Sequence, residues 1–182
     1  MSQEDDISRV FAKIKSSKFG FCQVEAPDGM RGLITLRDLL SLYDRGIMET
    51  DLSAGDVASR IFQMREDSLL RDALHEMLRR RMRRVFVSGT RTLVSDRRIM
   101  SHIFNSTSLE ALKRAPYNML DVTLREVGPV EPTEIDGGAS VQKAAHAIRG
   151  ETEECVLCPA GVVTPWDLIM KPWTMGRLRI RD

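Results

Sequence analysis

Two heptapeptides of one pattern, Gly32-Leu-Ile-Thr35-Leu-Arg-Asp38 and Gly161-Val-Val-Thr164-Pro-Trp-Asp167, constrain this 182-residue chain more than any other feature. Each follows an apolar run and precedes a helical pattern, so each reads as a corner where a strand ends and a helix begins. A hydroxyl residue with Asp three positions later is the sequence form of a helix cap with its reciprocal acceptor. The glycine ahead of it leaves a stretch of backbone uncovered by any Cβ.

The same order of events surrounds both corners, which marks an internal repeat. In the first copy, Ile7, Val10, Phe11 and Ile14 fall on one helix face, a strand runs from Phe19 to Glu25, and Ala26-Pro-Asp-Gly29 carries turn residues. Arg31 to Thr35 returns as a strand, and Asp38 to Tyr43 forms the closing helix. A second copy has Leu70, Ala73, Leu74, Met77 and Leu78 on a helix face behind Asp67-Ser68 as candidate caps, strands Arg84–Val87 and Thr92–Ser95, and a closing helix with Ile99 and Ile103. In the third, Val141, Ala144, Ala145 and Ile148 precede strands Cys155–Leu157 and Gly161–Thr164, and Pro172 is expected to limit the last helix.

These signals divide the chain into a repeat over 1–46, a second over 54–105, a third over 118–173, and a strand or tail over 174–182. Residues 46–56 read as a short linker, and a small helix is expected over Ser108–Arg114. Arg60–Met64 and Val127–Glu134 supply an extra strand to repeats two and three, whereas repeat one starts almost at its helix and lacks one. The alternating Gly176-Arg-Leu-Arg-Ile180 is expected to fill that gap as an edge strand, in this chain or in a neighbouring copy.

The order strand, helix, strand, strand, helix, with the second hairpin strand entering Gly-x-x-Thr-x-x-Asp, resembles the cystathionine-β-synthase (CBS) domain family over nearly the whole chain. The resemblance implies an α+β fold of CBS repeats packed sheet to sheet. It also implies a non-catalytic, regulatory protein that binds an adenosine-containing ligand, AMP, ADP, ATP or S-adenosylmethionine, between repeats and needs no cofactor. The implied ligand residues are Gly32, Thr35 and Asp38 in the first repeat and Gly161, Thr164 and Asp167 in the third. A Thr hydroxyl suits a phosphate oxygen and a carboxylate suits the two hydroxyls of a ribose. The second repeat departs from the pattern: Thr92-Leu-Val-Ser95-Asp-Arg-Arg98 keeps the hydroxyl at Ser95 but has Thr for Gly and Arg for Asp.

The run Arg79-Arg-Arg-Met-Arg-Arg84 is the densest charge cluster. Arg83 or Arg84 could face a nucleotide phosphate. The cations could equally be settled at a helix C-terminus, where they are stabilised by about 0.3–1 kcal/mol each. They could also dock a protein or nucleic acid in an adaptor whose clefts are empty. The 27 basic and 26 acidic residues nearly cancel, which argues against a broad nucleic-acid surface. In repeat three the equivalent place holds Glu153 and Glu154, which would repel a phosphate.

Other chemistry finds little footing. Cys155-Val-Leu-Cys158 stands without a second Cys or His pair, and His75, His102 and His146 lie on three separate helices. Neither a P-loop nor a nucleophile elbow appears. The acidic N-terminus, the absence of about 18 consecutive apolar residues and the three cysteines point to a cytoplasmic chain with reduced thiols and no membrane contact. Three repeats cannot all pair, and the exposed sheet face of the odd one favours a homodimer, alongside an unidentified regulated protein.

Overall fold

A computed structural model describes residues 6–17, 20–105, 110, 113, 114 and 118–181. It is an α+β protein whose helices alternate with short strands. The chain divides into two compact units, one formed by residues 1–59 with 133–182 and the other by residues 60–132. The first repeat and residues 133–173 of the third therefore share a unit, whereas 118–132, assigned to the third repeat from the sequence, belong to the smaller unit, where Leu124 and Val127 join its core.

In the larger unit, α1 (Ile7–Ser17) buries Val10, Phe11 and Ile14, the residues its periodicity places on one face. The strands β1 (Phe21–Glu25) and β2 (Arg31–Thr35) form an antiparallel hairpin in which Cys22 opposes Ile34 and Val24 opposes Gly32. Its turn closes through the amide of Gly29 donating to the carbonyl of Ala26, and Gly29 takes φ 81°, a conformation glycine adopts without strain. From Thr35 the chain enters α2 (Leu36–Asp44), which buries Leu39, Leu40 and Tyr43.

The third repeat contributes α6 (Val141–Gly150), the hairpin β7 (Val156–Cys158) and β8 (Gly161–Val163), and α7 (Pro165–Thr174). α2 lies against both α6 and α7. The inner faces of both hairpins, through Cys22, Val156, Cys158 and Val163, join the same apolar core as these helices. Single-residue bridges flank the β7–β8 hairpin, Glu134 on Leu157 and Ser59 on Val162.

Several local expectations are corrected. Residues 46–56 are structured: β3 (Met48–Glu49) is followed by α3 (Ala54–Val57), whose cap Ser53 shares a capping box with Asp56. The C-terminal strand β9 (Arg179–Ile180) forms in this chain but pairs with β3, not with the β1–β2 hairpin. Arg177 reaches Asp51 and Arg181 reaches Glu49 at 2.8 Å, so charge as well as backbone pairing draws the tail to this segment. Pro172 does not end α7, which continues to Thr174.

In the smaller unit, β4 (Gln63–Met64) pairs parallel with β5 (Arg84–Val87), which pairs antiparallel with β6 (Leu93–Ser95). The helices α4 (Leu70–Arg80) and α5 (Asp96–Phe104) bury Leu70, Ala73, Met77 and Ile99 against Val85 and Val94. Asp67 and Ser68 do not cap α4. Its cap position is Leu69, and the amide of Leu70 donates instead to the carbonyl of Val122 at 2.8 Å. The expected strand over 127–134 is reduced to two separate bridges, Val130 on Leu93 and Glu134 on Leu157. The helix expected over Ser108–Arg114 and the start of the first strand at Phe19 fall largely outside the described residues.

Candidate functional site

The first corner carries its motif on the surface. Thr35, extended at φ −105° and ψ 164°, caps α2. Its Oγ1 accepts from the amide of Asp38 at 3.2 Å, while its own amide and hydroxyl donate to Asp38 Oδ2 at 2.8 and 2.7 Å. Asp38 is exposed, and among the described residues no donor reaches its Oδ1. Gly32 lies three residues back on β2 and is also exposed. Between Thr35 and Asp38, Arg37 turns toward the end of α6, donating to the Arg149 carbonyl at 2.8 Å and standing 3.4 Å from Glu154 Oε1. Glu154 thus faces a cation at this corner.

The third repeat builds the same cap in a different environment. Asp167 Oδ2 accepts from the Thr164 amide at 2.9 Å and its hydroxyl at 2.7 Å. Here the carboxylate is buried, 3% exposed, and its other oxygen is engaged as well. Ser59 Oγ donates to Oδ1 at 2.6 Å and Lys171 Nζ stands 3.0 Å away. Lys171 also donates to the carbonyls of Val57 at 2.6 Å and Ala58 at 2.9 Å and to Ser59 Oγ at 2.9 Å. A buried carboxylate is tolerated only with such a full set of donors and a countercharge. Gly161 is buried and held at φ 145°, so its lack of a side chain serves the backbone.

At the second corner, Ser95 is buried and its Oγ accepts from the amide of Arg98 at 3.1 Å. Arg98, standing where the pattern has Asp, donates to the carbonyl of Gly128 through Nε at 3.1 Å and Nη2 at 2.8 Å. A guanidinium directed at a carbonyl offers no acceptor for a sugar.

The basic run is largely engaged within its own unit. Arg79 and Arg80 both bind Glu76, at 2.6 and 2.7 Å, and hold its carboxyl far below the ordinary range, down to about 2. Arg80 also lies over the ring of Phe62, 4.0 Å from its centroid. Arg81 closes α4 in the left-handed conformation, and Arg83 pairs with Asp96 at 2.6 Å. Arg84 is half-buried at the start of β5.

A shallow, mostly apolar hollow of about 210 Å³ is lined by Lys15, Trp166, Met170, Lys171, Thr174 and Met175. Thr35, Asp38, Thr164 and Asp167 are not in its lining, while Trp166, inside the third motif, is. Trp173 packs at 5.7 Å against Phe11, with Lys15 above its ring. Cys22, Cys155 and Cys158 are buried thiols, and among the described residues no three His, Cys, Asp or Glu side chains are grouped to hold a metal. Among the described residues no helix is long and apolar enough to cross a membrane.

Sequence reasoning missed Ser59 and Lys171. Lys171 was within reach of it, one helical turn after Asp167. Ser59 was not, because 108 residues separate it from the carboxylate it binds.

Comparison with known proteins bears on the fold. A CBS-domain protein from Pyrobaculum aerophilum, solved in complex with AMP, superimposes on 68% of this chain and 95% of its own with TM-score 0.51 at 16% identity. A CBS-pair protein from Arabidopsis thaliana covers 70% of this chain and 99% of its own with TM-score 0.54 at 13% identity. The chain has the CBS-domain fold. A longer match to that fold comes from a Methanocaldococcus jannaschii protein described as a proposed archaeal homolog of g-AMPK. It covers 94% of this chain with TM-score 0.79 at 15% identity, and this chain spans 66% of its length. No family model matches the sequence, and no curated protein matches it.

Proposed function

We propose that this CBS-fold chain is a non-catalytic regulatory protein that binds an adenosine-containing ligand at the Thr35–Asp38 corner and presents the bound state to a partner. The observation that carries the reading is the exposed carboxylate of Asp38, with Oδ2 in the cap and Oδ1 met by no donor among the described residues. A ribose offers two adjacent hydroxyls to such an acceptor. The AMP complex of the Pyrobaculum aerophilum protein, which has this fold, supports AMP as the first ligand to try, with ADP, ATP and S-adenosylmethionine beside it.

Docking of a protein or nucleic acid through Arg79–Arg84 draws less support, because Glu76 and Asp96 already engage Arg79, Arg80 and Arg83. A second copy of the chain is the proposed first partner. On the outer face of the β1–β2 hairpin Leu33 is 61% and Phe21 42% exposed, whereas the residues of both strands of the third-repeat hairpin are buried throughout.

The test is a thermal-shift series with AMP, ADP, ATP and S-adenosylmethionine. A ligand held by the native state at 100 times its Kd stabilises by about 2.7 kcal/mol, so at least one should raise Tm. Asp38→Asn should remove that shift. No shift with any of the four, or one that Asp38→Asn leaves intact, overturns the proposal.

A further inference from the structure

Two corners of one sequence pattern differ in what stands one helical turn beyond the aspartate. After Asp38 comes Leu42, which packs against the apolar core. After Asp167 comes Lys171, which binds the aspartate itself. We infer that Lys171 converts the Thr164–Asp167 corner from a ligand site into a clamp on residues 57–59, so that the chain takes its ligand at the Thr35–Asp38 corner alone.

The inference rests on the proposed adenosine reading and adds which corner is used and why. A sugar can be held by a carboxylate only through acceptor positions that no protein donor fills. At Asp167 those positions are occupied: Ser59 Oγ and Lys171 Nζ take Oδ1, and the cap takes Oδ2. Ser59 is itself fixed, because its amide and carbonyl exchange hydrogen bonds of 2.8 and 2.9 Å with Val162 on β8. Lys171 adds the carbonyls of Val57 and Ala58, so one ammonium ties α7 to three consecutive residues. A sugar entering here would have to displace a hydroxyl and an ammonium together and lift the segment from the edge of β8. At Asp38 no donor among the described residues holds Oδ1, so a sugar hydroxyl finds an acceptor there without displacing a protein group.

Lys171 is a positioning residue, so its test needs a readout that mere destabilisation would not produce. Isothermal titration of the full chain with AMP should give one site in the wild type and none in Asp38→Asn. Lys171→Leu, which copies Leu42, should gain a second site, whereas Lys171→Arg, which keeps the cation, should retain a single one. Two sites in the wild type, or a single site that survives Asp38→Asn, overturns the inference, and both hold even if Lys171→Leu fails to fold. A folded Lys171→Leu that still binds one AMP also overturns it.

Amide hydrogen exchange reads the clamp without ligand. The amides of Ser59 and Val162 should exchange about tenfold faster in Lys171→Leu than in wild type, and close to the wild-type rate in Lys171→Arg, because local opening sets those rates. If no variant binds AMP, the adenosine reading falls while exchange still decides the clamp. Unchanged exchange at both amides in Lys171→Leu overturns the clamp.

Discussion

The hydroxyl of Tyr43 donates to the carbonyl oxygen of Leu168 at 2.7 Å, with both groups deep in the core of the larger unit. Leu168 lies four residues before Pro172, so the helical donor that would normally serve its carbonyl does not exist. A side chain from the first repeat thereby satisfies a gap in a helix of the third, and α7 runs on through its proline.

Tyr43→Phe should therefore cost about 1–3 kcal/mol, the penalty of a buried carbonyl left without a donor, read as a drop in the urea midpoint. In a Pro172→Ala background, where residue 172 regains an N–H for the same carbonyl, the loss should shrink, and a double-mutant cycle measures the coupling. Burial also pushes the Tyr43 hydroxyl above its ordinary value of 10.0. The folded state then holds the proton more tightly than the unfolded state, so stability falls as pH rises above about 10. Tyr43→Phe should lack that component of the fall.

Glu76 sets a second pH response, at the opposite end of the scale. Its carboxyl is lowered from 4.5 to about 2 by hydrogen bonds from Arg79 first and Arg80 next. A depressed carboxylate stabilises the folded state above its unfolded value, and that contribution disappears as pH falls through about 2. The Glu76 side-chain carbon should titrate by NMR with a midpoint near the lower value. Glu76→Gln should abolish the accompanying shift in the Arg79 Nε resonance.

The two motif glycines should respond differently to alanine. Gly161 sits at φ 145°, a region L side chains rarely enter, and Gly161→Ala should cost about 1–3 kcal/mol. A Cβ at Gly32 would meet only Val24 Cγ2 at 3.4 Å, an ordinary contact, so Gly32→Ala should leave the melting temperature nearly unchanged. Equal losses at both positions would contradict this account.

At the tail, burial should outweigh charge. Met48, opposite Ile180 in the β3–β9 pair, is 1% exposed, so Met48→Ala should cost about 2–5 kcal/mol. Arg177→Ala removes an ion pair whose Asp51 partner is 60% exposed, so solvent screens it and the loss of stability should be much smaller. Chemical denaturation of the two variants separates the terms.

What the amino-acid order determined by itself is the set of structures closed by near neighbours. The caps at Thr35, Ser95 and Thr164 each join residues three apart, and the buried faces of α1 and α6 follow a 3.6-residue period, so both were legible without coordinates, while on α4 Leu70, Ala73 and Met77 are buried as expected but Leu78 is 79% exposed. Tertiary structure alone decided that the first and third repeats share a core, that β9 lies on β3, that Tyr43 carries α7 past Pro172, and that Ser59 and Lys171 close one corner while the other stays open. Each of those outcomes except the Lys171 contact joins groups roughly 100 or more residues apart. Two corners of one motif pattern therefore end in different surroundings, because a carboxylate's availability depends on the donors that reach it through space, and those donors arrive only when distant segments pack.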